Sequence, residues 1–269
     1  MTDISLENMK YLIYTIAATL IIVTACSTEP ESLRTVVNGK ITVADSLDDS
    51  RDYSGIGVTI VKQDSANAEI DTLFNANTDV NGSFMGEVEF PQKSFYSMLI
   101  SRNNNDIASL RVILADNDTL NISAELPEIT KTLKLESDEH EALETFSRVD
   151  RNFQRVGAIL RSGSVPDSQI VDEIQKWSDI YWEVYQKHQN TIASYMAAEK
   201  AAELLSVRDQ DEMLNRIDQA LPADYMISVA LTLGKPYIAE EKGFEAASSY
   251  LDSLAQISQN ESILEFVMR

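Results

Sequence analysis

Near Ser137 the spacing of apolar residues changes from about two to about 3.6, and that switch restricts the chain to folds with segregated strands and helices. Before it, from Arg34 to about Leu135, short runs rich in β-branched residues alternate with turn clusters. Val36, Val37, Ile41 and Val43 open the series, and Gly57-Val58-Thr59-Ile60-Val61 is its clearest strand. Residues 70–74, 83–90, 94–101, 109–115, 119–126 and 132–135 follow as strands, with turns at 45–55, 78–82, 102–106 and 116–118. Short strands divided by Asn/Asp/Gly turns at regular spacing predict an antiparallel β-sandwich. A glycine-rich strand-to-helix element is missing from the sequence, which argues against a parallel nucleotide-binding sheet.

Beyond Ser137, Phe146, Val149, Phe153, Val156 and Leu160 recur at 3-4-3-4 spacing and place one apolar stripe on one helix face. Gly163-Ser164-Val165-Pro166-Asp167 stops that helix and begins the next. A longer stripe runs through Ile170, Ile174, Trp177, Tyr181, Val184, His188 and Ile192. Residues 197–216 and 243–258 also read as helical, with breaks at Leu221-Pro222 and Gly234-Lys235-Pro236. These stops delimit about three to five helices, enough for a small bundle. A repeat array would need a second copy of the Trp177/Trp182 pair at fixed period, and none aligns. The expected fold is α+β with segregated halves: an N-terminal antiparallel β-sandwich over 34–135, then an all-α segment over 136–269.

The chain carries a net charge of −21 and one cysteine, Cys26. Nucleic-acid binding depends on Lys/Arg displacing counterions from a dense line of phosphates, so an acidic chain without a local basic patch is repelled. Lys10, the apolar run 11–25 and the ending Val23-Thr24-Ala25-Cys26 form a secretory signal: a basic start, an apolar stretch, and small residues before a cut. Fifteen residues are short for a membrane span, which needs about 20. The Cys26 ending resembles a bacterial lipobox, which implies that residues 1–25 are removed and Cys26 is acylated. Asp3 and Glu7 fit an n-region badly, and initiation at Met9 would give a more ordinary signal. Without residues 1–25 the charge becomes −20, since one base and two acids leave with them. That sign disfavours adhesion to anionic lipid, so attachment falls to the acyl chains. Residues 26–33 read as a tether, and Ser27 in place of Asp directs the lipoprotein to the outer membrane. With Cys26 acylated no thiol remains for disulfide bracing or sulfur chemistry.

Gly39-Lys40-Ile41, then residues 55–61, then Thr78-Asp79-Val80-Asn81-Gly82-Ser83-Phe84 resemble carboxypeptidase-regulatory-like and related β-sandwich modules, in which a T-D-x-x-G-x-F hairpin follows a G-V-x-V strand. Residues 110–122 resemble the last hairpin of a domain common in Bacteroidetes-type envelope lipoproteins. In those proteins the sandwich precedes a helical linker, which 189–195 and Leu221-Pro222 resemble, and then a thioredoxin-like domain. The resemblance spans roughly 35–225 on short motifs. It carries over no enzymatic residue, because the thioredoxin-like part works through a Cys-x-x-Cys and this sequence has one cysteine. Ile263-Leu264-Glu265-Phe266-Val267-Met268-Arg269 reads as the ending of a truncated frame. The resemblance therefore implies a non-catalytic binding or scaffold module in the envelope, partnered by the membrane through its N-terminal lipid and by another protein or appended domain. The alternatives are a truncated thiol-disulfide oxidoreductase and a glycan-utilisation accessory protein.

Other constellations have plain structural readings. Asp79-Val80-Asn81-Gly82-Ser83 resembles the start of a calcium loop, but Phe90 stands where the terminal bidentate Glu belongs, so a hairpin turn is expected. Asp45, Asp48, Asp49 and Asp52 read as a solvated loop. His140, between Glu139 and Glu141, is expected to be exposed, and His188 partly buried and hydrogen-bonded on its stripe. Trp177, Tyr181 and Tyr185, with Trp182 beside them, are expected to pack as core. Asp-Ser/Thr-aliphatic triplets at Ser46, Ser65, Thr72, Thr119 and Ser253 match an O-glycosylation sequon of Bacteroidetes, by a pattern short enough to recur by chance. The site assigned is lipidation at Cys26, with no catalytic, cofactor or metal residue.

Overall fold

The computed structural model describes residues 32–47, 49–63, 70–103, 105–163, 165–221 and 223–258. Cys26, the signal, most of the tether and the apolar ending lie outside the described residues. Strands occupy the N-terminal part and helices the C-terminal part, so the chain is α+β in the expected order.

The described strands are β1 (Leu33–Val43), β2 (Ile56–Gln63), β3 (Ile70–Asn77), β4 (Ser83–Phe90), β5 (Ser94–Arg102), β6 (Asn105–Leu114), β7 (Asp118–Leu126) and β8 (Lys134–Glu136), with a single helical turn α1 (Ile129–Thr132) before β8. They form two four-stranded sheets, ordered β4-β1-β7-β8 and β3-β2-β5-β6. Alternation along each strand aims one set of side chains inward. Val37, Ile41, Val88, Leu120 and Ile122 of the first sheet share one apolar cluster with Val58, Ile60, Met98, Ile100 and Val112 of the second.

One pairing departs from the antiparallel expectation. β1 and β7 run parallel, Val37 opposite Leu120 and Ile41 opposite Ala124. Parallel neighbours need a long crossover, and here the whole of β2–β6 supplies it. The turn at Thr78–Gly82 also differs from a hairpin, because β3 and β4 belong to different sheets. Asp79 Oδ1 accepts the N–H groups of Asn81 and Ser83, at 2.8 and 2.9 Å. Thr78 Oγ1 donates to Tyr53 O and accepts Ile56 N–H. These bonds turn a corner between sheets. The Phe84 ring lies over Gly39, its cross-strand partner, where any side chain would collide with it.

The helices are α2 (Asp138–Leu160), α3 (Asp167–Lys187), α4 (Ile192–Leu205), α5 (Gln210–Ala220), α6 (Asp224–Val229), α7 (Lys235–Lys242) and α8 (Phe244–Ile257). Three expectations fail here. The stripe from Ile170 to Ile192 is not one helix: Asn190 adopts φ +68° and Thr191 caps a new helix by accepting Ser194 N–H. Residues 197–216 are likewise split, because Asp209 caps α5 by accepting Glu212 N–H. The chain does not break at Gly234-Lys235-Pro236. Ala230–Gly234 is a π-helical turn leading directly into α7. Pro236 has no N–H for the i−4 carbonyl and its ring crowds it, and a widened turn relieves both. The stop comes later, at Gly243, with φ +86°.

α4 runs through the middle of the helical core. Ala193, Ala197, Ala198, Ala201 and Ala202 are all fully buried, and their small side chains let neighbouring helices approach closely. Trp177, Tyr181, Trp182 and Tyr185 are buried as expected of core residues. Arg216 is buried among them at 6% exposure, bonded to Ser178 Oγ (2.9 Å), Asp179 (2.6 Å) and Glu212 (2.9 Å) and lying over the Trp182 ring. No helix among the described residues is long and apolar enough to cross a membrane.

Candidate functional site

Where the second sheet meets the start of the helices, the chain leaves a polar cleft of about 480 Å³, lined by Lys93, Asp116–Asp118, Glu139, Glu141, Lys187 and His188–Thr191, among others. Its geometry follows from the first turn of α2. Ser137 caps that helix, its hydroxyl accepting His140 N–H at 3.3 Å. Asp138, Glu139 and Glu141 follow, where the positive end of the helix dipole favours carboxylates.

Glu139 is 2% exposed and joins three segments. One carboxylate oxygen meets Lys93 Nζ at 2.7 Å, from the connection between the two sheets. The other accepts Ile192 N–H at 2.9 Å, so the same carboxylate sits at the start of α4 as well. Lys93 Nζ also donates to Asn190 O at 2.5 Å. A buried carboxylate is costly unless paired and hydrogen-bonded, and here both conditions are met.

His140 is 6% exposed, not exposed as its acidic flanks suggest. The helix carries it against β6, the outer strand of its sheet, whose Ile113 N–H points away from the ladder. A buried edge N–H needs an acceptor, and His140 Nε2 supplies it at 3.3 Å. Because Nε2 accepts, the imidazole is neutral with its proton on Nδ1, which donates to Ser137 Oγ at 2.8 Å. Burial lowers its pKa from the ordinary value, and the weaker influence of the Asp118 carboxylate raises it.

His188 ends α3 and lines the same cleft, partly buried as expected. Its Nε2 is buried without a hydrogen-bond partner, which differs from the expected bonded ring; among the described residues Trp177 Nε1 shares that condition. The two histidines, distant in sequence, thus flank one junction. The other carboxylates are partly engaged: Asp116 accepts Arg34 N–H and Asp118 accepts Thr119 N–H. Among the described residues no group of three or more His, Cys, Asp or Glu side chains is placed to hold a metal ion. Of the sequon hydroxyls, Ser46, Thr72, Thr119 and Ser253 are exposed, and Ser65 lies outside the described residues.

Sequence reasoning missed Lys93, Asn190 and the burial of Glu139 and His140. A helix-capping Ser followed by acids at Ser137-Asp138-Glu139 was a signal for the helix start. Nothing local marks Glu139 as buried, because its partners lie 46 and 53 positions away. No protein-family model matches the chain, and no curated protein matches it.

Proposed function

We propose that the protein is a lipid-anchored component of the bacterial cell envelope, held at the outer membrane by acyl chains on Cys26, and that it acts as a non-catalytic binding or scaffold module. In this reading residues 26–33 are the tether, 34–135 a β-sandwich domain and 136–269 a helical domain that holds a protein partner or an appended domain away from the membrane. The observation that carries it is the joint at Glu139 and His140. Glu139 accepts the backbone N–H of Ile192 and His140 that of Ile113, so two ionisable side chains at this junction hold helices against each other and against a sheet. A spacer that transmits position needs such a joint. Trp177, Tyr181, Trp182 and Tyr185 are buried, so this ridge supports packing of the helices and not a glycan-binding surface of its own.

Metabolic labelling with a fatty-acid analogue tests the anchor. The native chain takes up label and partitions with membranes. Cys26→Ser remains unlabelled and is either uncleaved or released in soluble form. An unlabelled native chain ends this reading.

A further inference from the structure

We infer that the junction between the sheets and the helices is an acid-releasable latch, closed by neutral His140 on the edge of β6 and opened when that imidazole takes a second proton. The Ile113 N–H lies on the outer side of an edge strand and is covered by α2, so His140 Nε2 is its acceptor. A protonated imidazole has two donors and no acceptor. Protonation therefore sets one N–H against another and leaves a buried donor without a partner.

The surroundings decide which way the latch responds. From β7, Asp118 faces the ring and favours the charged form. On its own helix Asp138, Glu139 and Glu141 lie beside it, while Lys93 from the sheet connection neutralises Glu139. Across the cleft, α3 contributes Lys187 and His188. Ser137 Oγ already accepts from Nδ1 and from the His140 amide, so it cannot take a further donor at Nε2. Burial is what opposes the charged ring in the closed state, and an imidazolium that leaves Ile113 escapes that burial while Asp118 continues to favour its charge.

The sign follows from the neutral closed state. His140 titrates below the ordinary histidine value when the junction is closed, and near that value when it is open. The stabilisation is complete above the open-state pKa and is lost as pH falls through it toward the closed-state value. Glu139 with Lys93 and Ile192 remains as a second tie, so release frees β6 from α2 without unfolding either half.

Hydrogen exchange of the full chain, corrected for intrinsic rates, tests this at Ile113. Between about pH 7.5 and about pH 5 its protection falls roughly tenfold or more, the weight of one buried hydrogen bond, while amides pairing β2 with β5 keep theirs. His140→Gln, which retains an acceptor that does not titrate, keeps Ile113 protected across the range. Nitrogen chemical shifts of the imidazole provide a second measurement on the native chain. They show the Nδ1–H neutral form at the higher pH and a titration midpoint matching the loss of Ile113 protection. Unchanged Ile113 protection, an equal fall in His140→Gln, or an imidazole midpoint well separated from the exchange transition would each overturn the proposal.

Discussion

Arg216 and Glu139 meet the same physical demand in opposite ways. Each is a buried charge, and each is retained because every direction it faces holds a partner. Arg216 links α3 to α5 through Ser178 and Asp179, and its fixed fork suits several acceptors at once. Arg216→Met, which keeps much of the volume, is expected to destabilise the protein by about 2 kcal/mol. The loss stays moderate because Asp179 and Glu212 remain 52% and 37% exposed and are rehydrated when the guanidinium goes. Urea unfolding with an unchanged m-value would measure it; a loss below about 0.5 kcal/mol would mean that the network is incidental. The buried Arg216 was not legible in the sequence, since a lone Arg on a helix is by default a solvated residue.

At the scale of elements, turns decide more than strands do. Thr78–Gly82 reads from its Asp-x-Asn-Gly sequence as a hairpin, yet it carries the chain from one sheet to the other. Gly82 makes that corner possible, with φ +79° and with the place of a Cβ only 2.1 Å from the carbonyl oxygen of Ile41. Gly82→Ala is therefore expected to cost more than about 2 kcal/mol, combining left-handed strain with a backbone collision. Thermal unfolding would register it as a clear fall in Tm; a Tm within experimental error of the native chain would contradict the collision. Helix ends show the same dependence on turns. The stripe through His188 and Ile192 keeps helical spacing across residues 188–191, so periodicity alone joins two helices that Asn190 and Thr191 separate. The period survives because the apolar face continues into the next helix, while the cap is a matter of one hydroxyl.

For the whole molecule, two apolar clusters are joined by a polar joint. The strand cluster draws on β1–β7 and the turn α1, and the helical cluster on α2–α8 and the π-helical turn that links α6 to α7. Such an arrangement predicts that residues 32–136 fold alone, with a cooperative transition and a strand-type circular dichroism spectrum. The isolated part is expected to be less stable by about 1–3 kcal/mol, since Ile113 N–H loses the His140 cap. A disordered fragment would show instead that the two clusters form one cooperative unit. The sequence by itself determined the α+β order, the position of the switch near Ser137, most strand positions and the buried aromatic ridge, because each rests on spacing between neighbours in the chain. Tertiary structure alone decided that β1 lies parallel to β7, that His140 is buried and neutral, and that Lys93, Glu139 and Asn190 form one joint. Those are contacts between residues tens of positions apart, and local periodicity carries no information about which distant N–H or charge a side chain will meet.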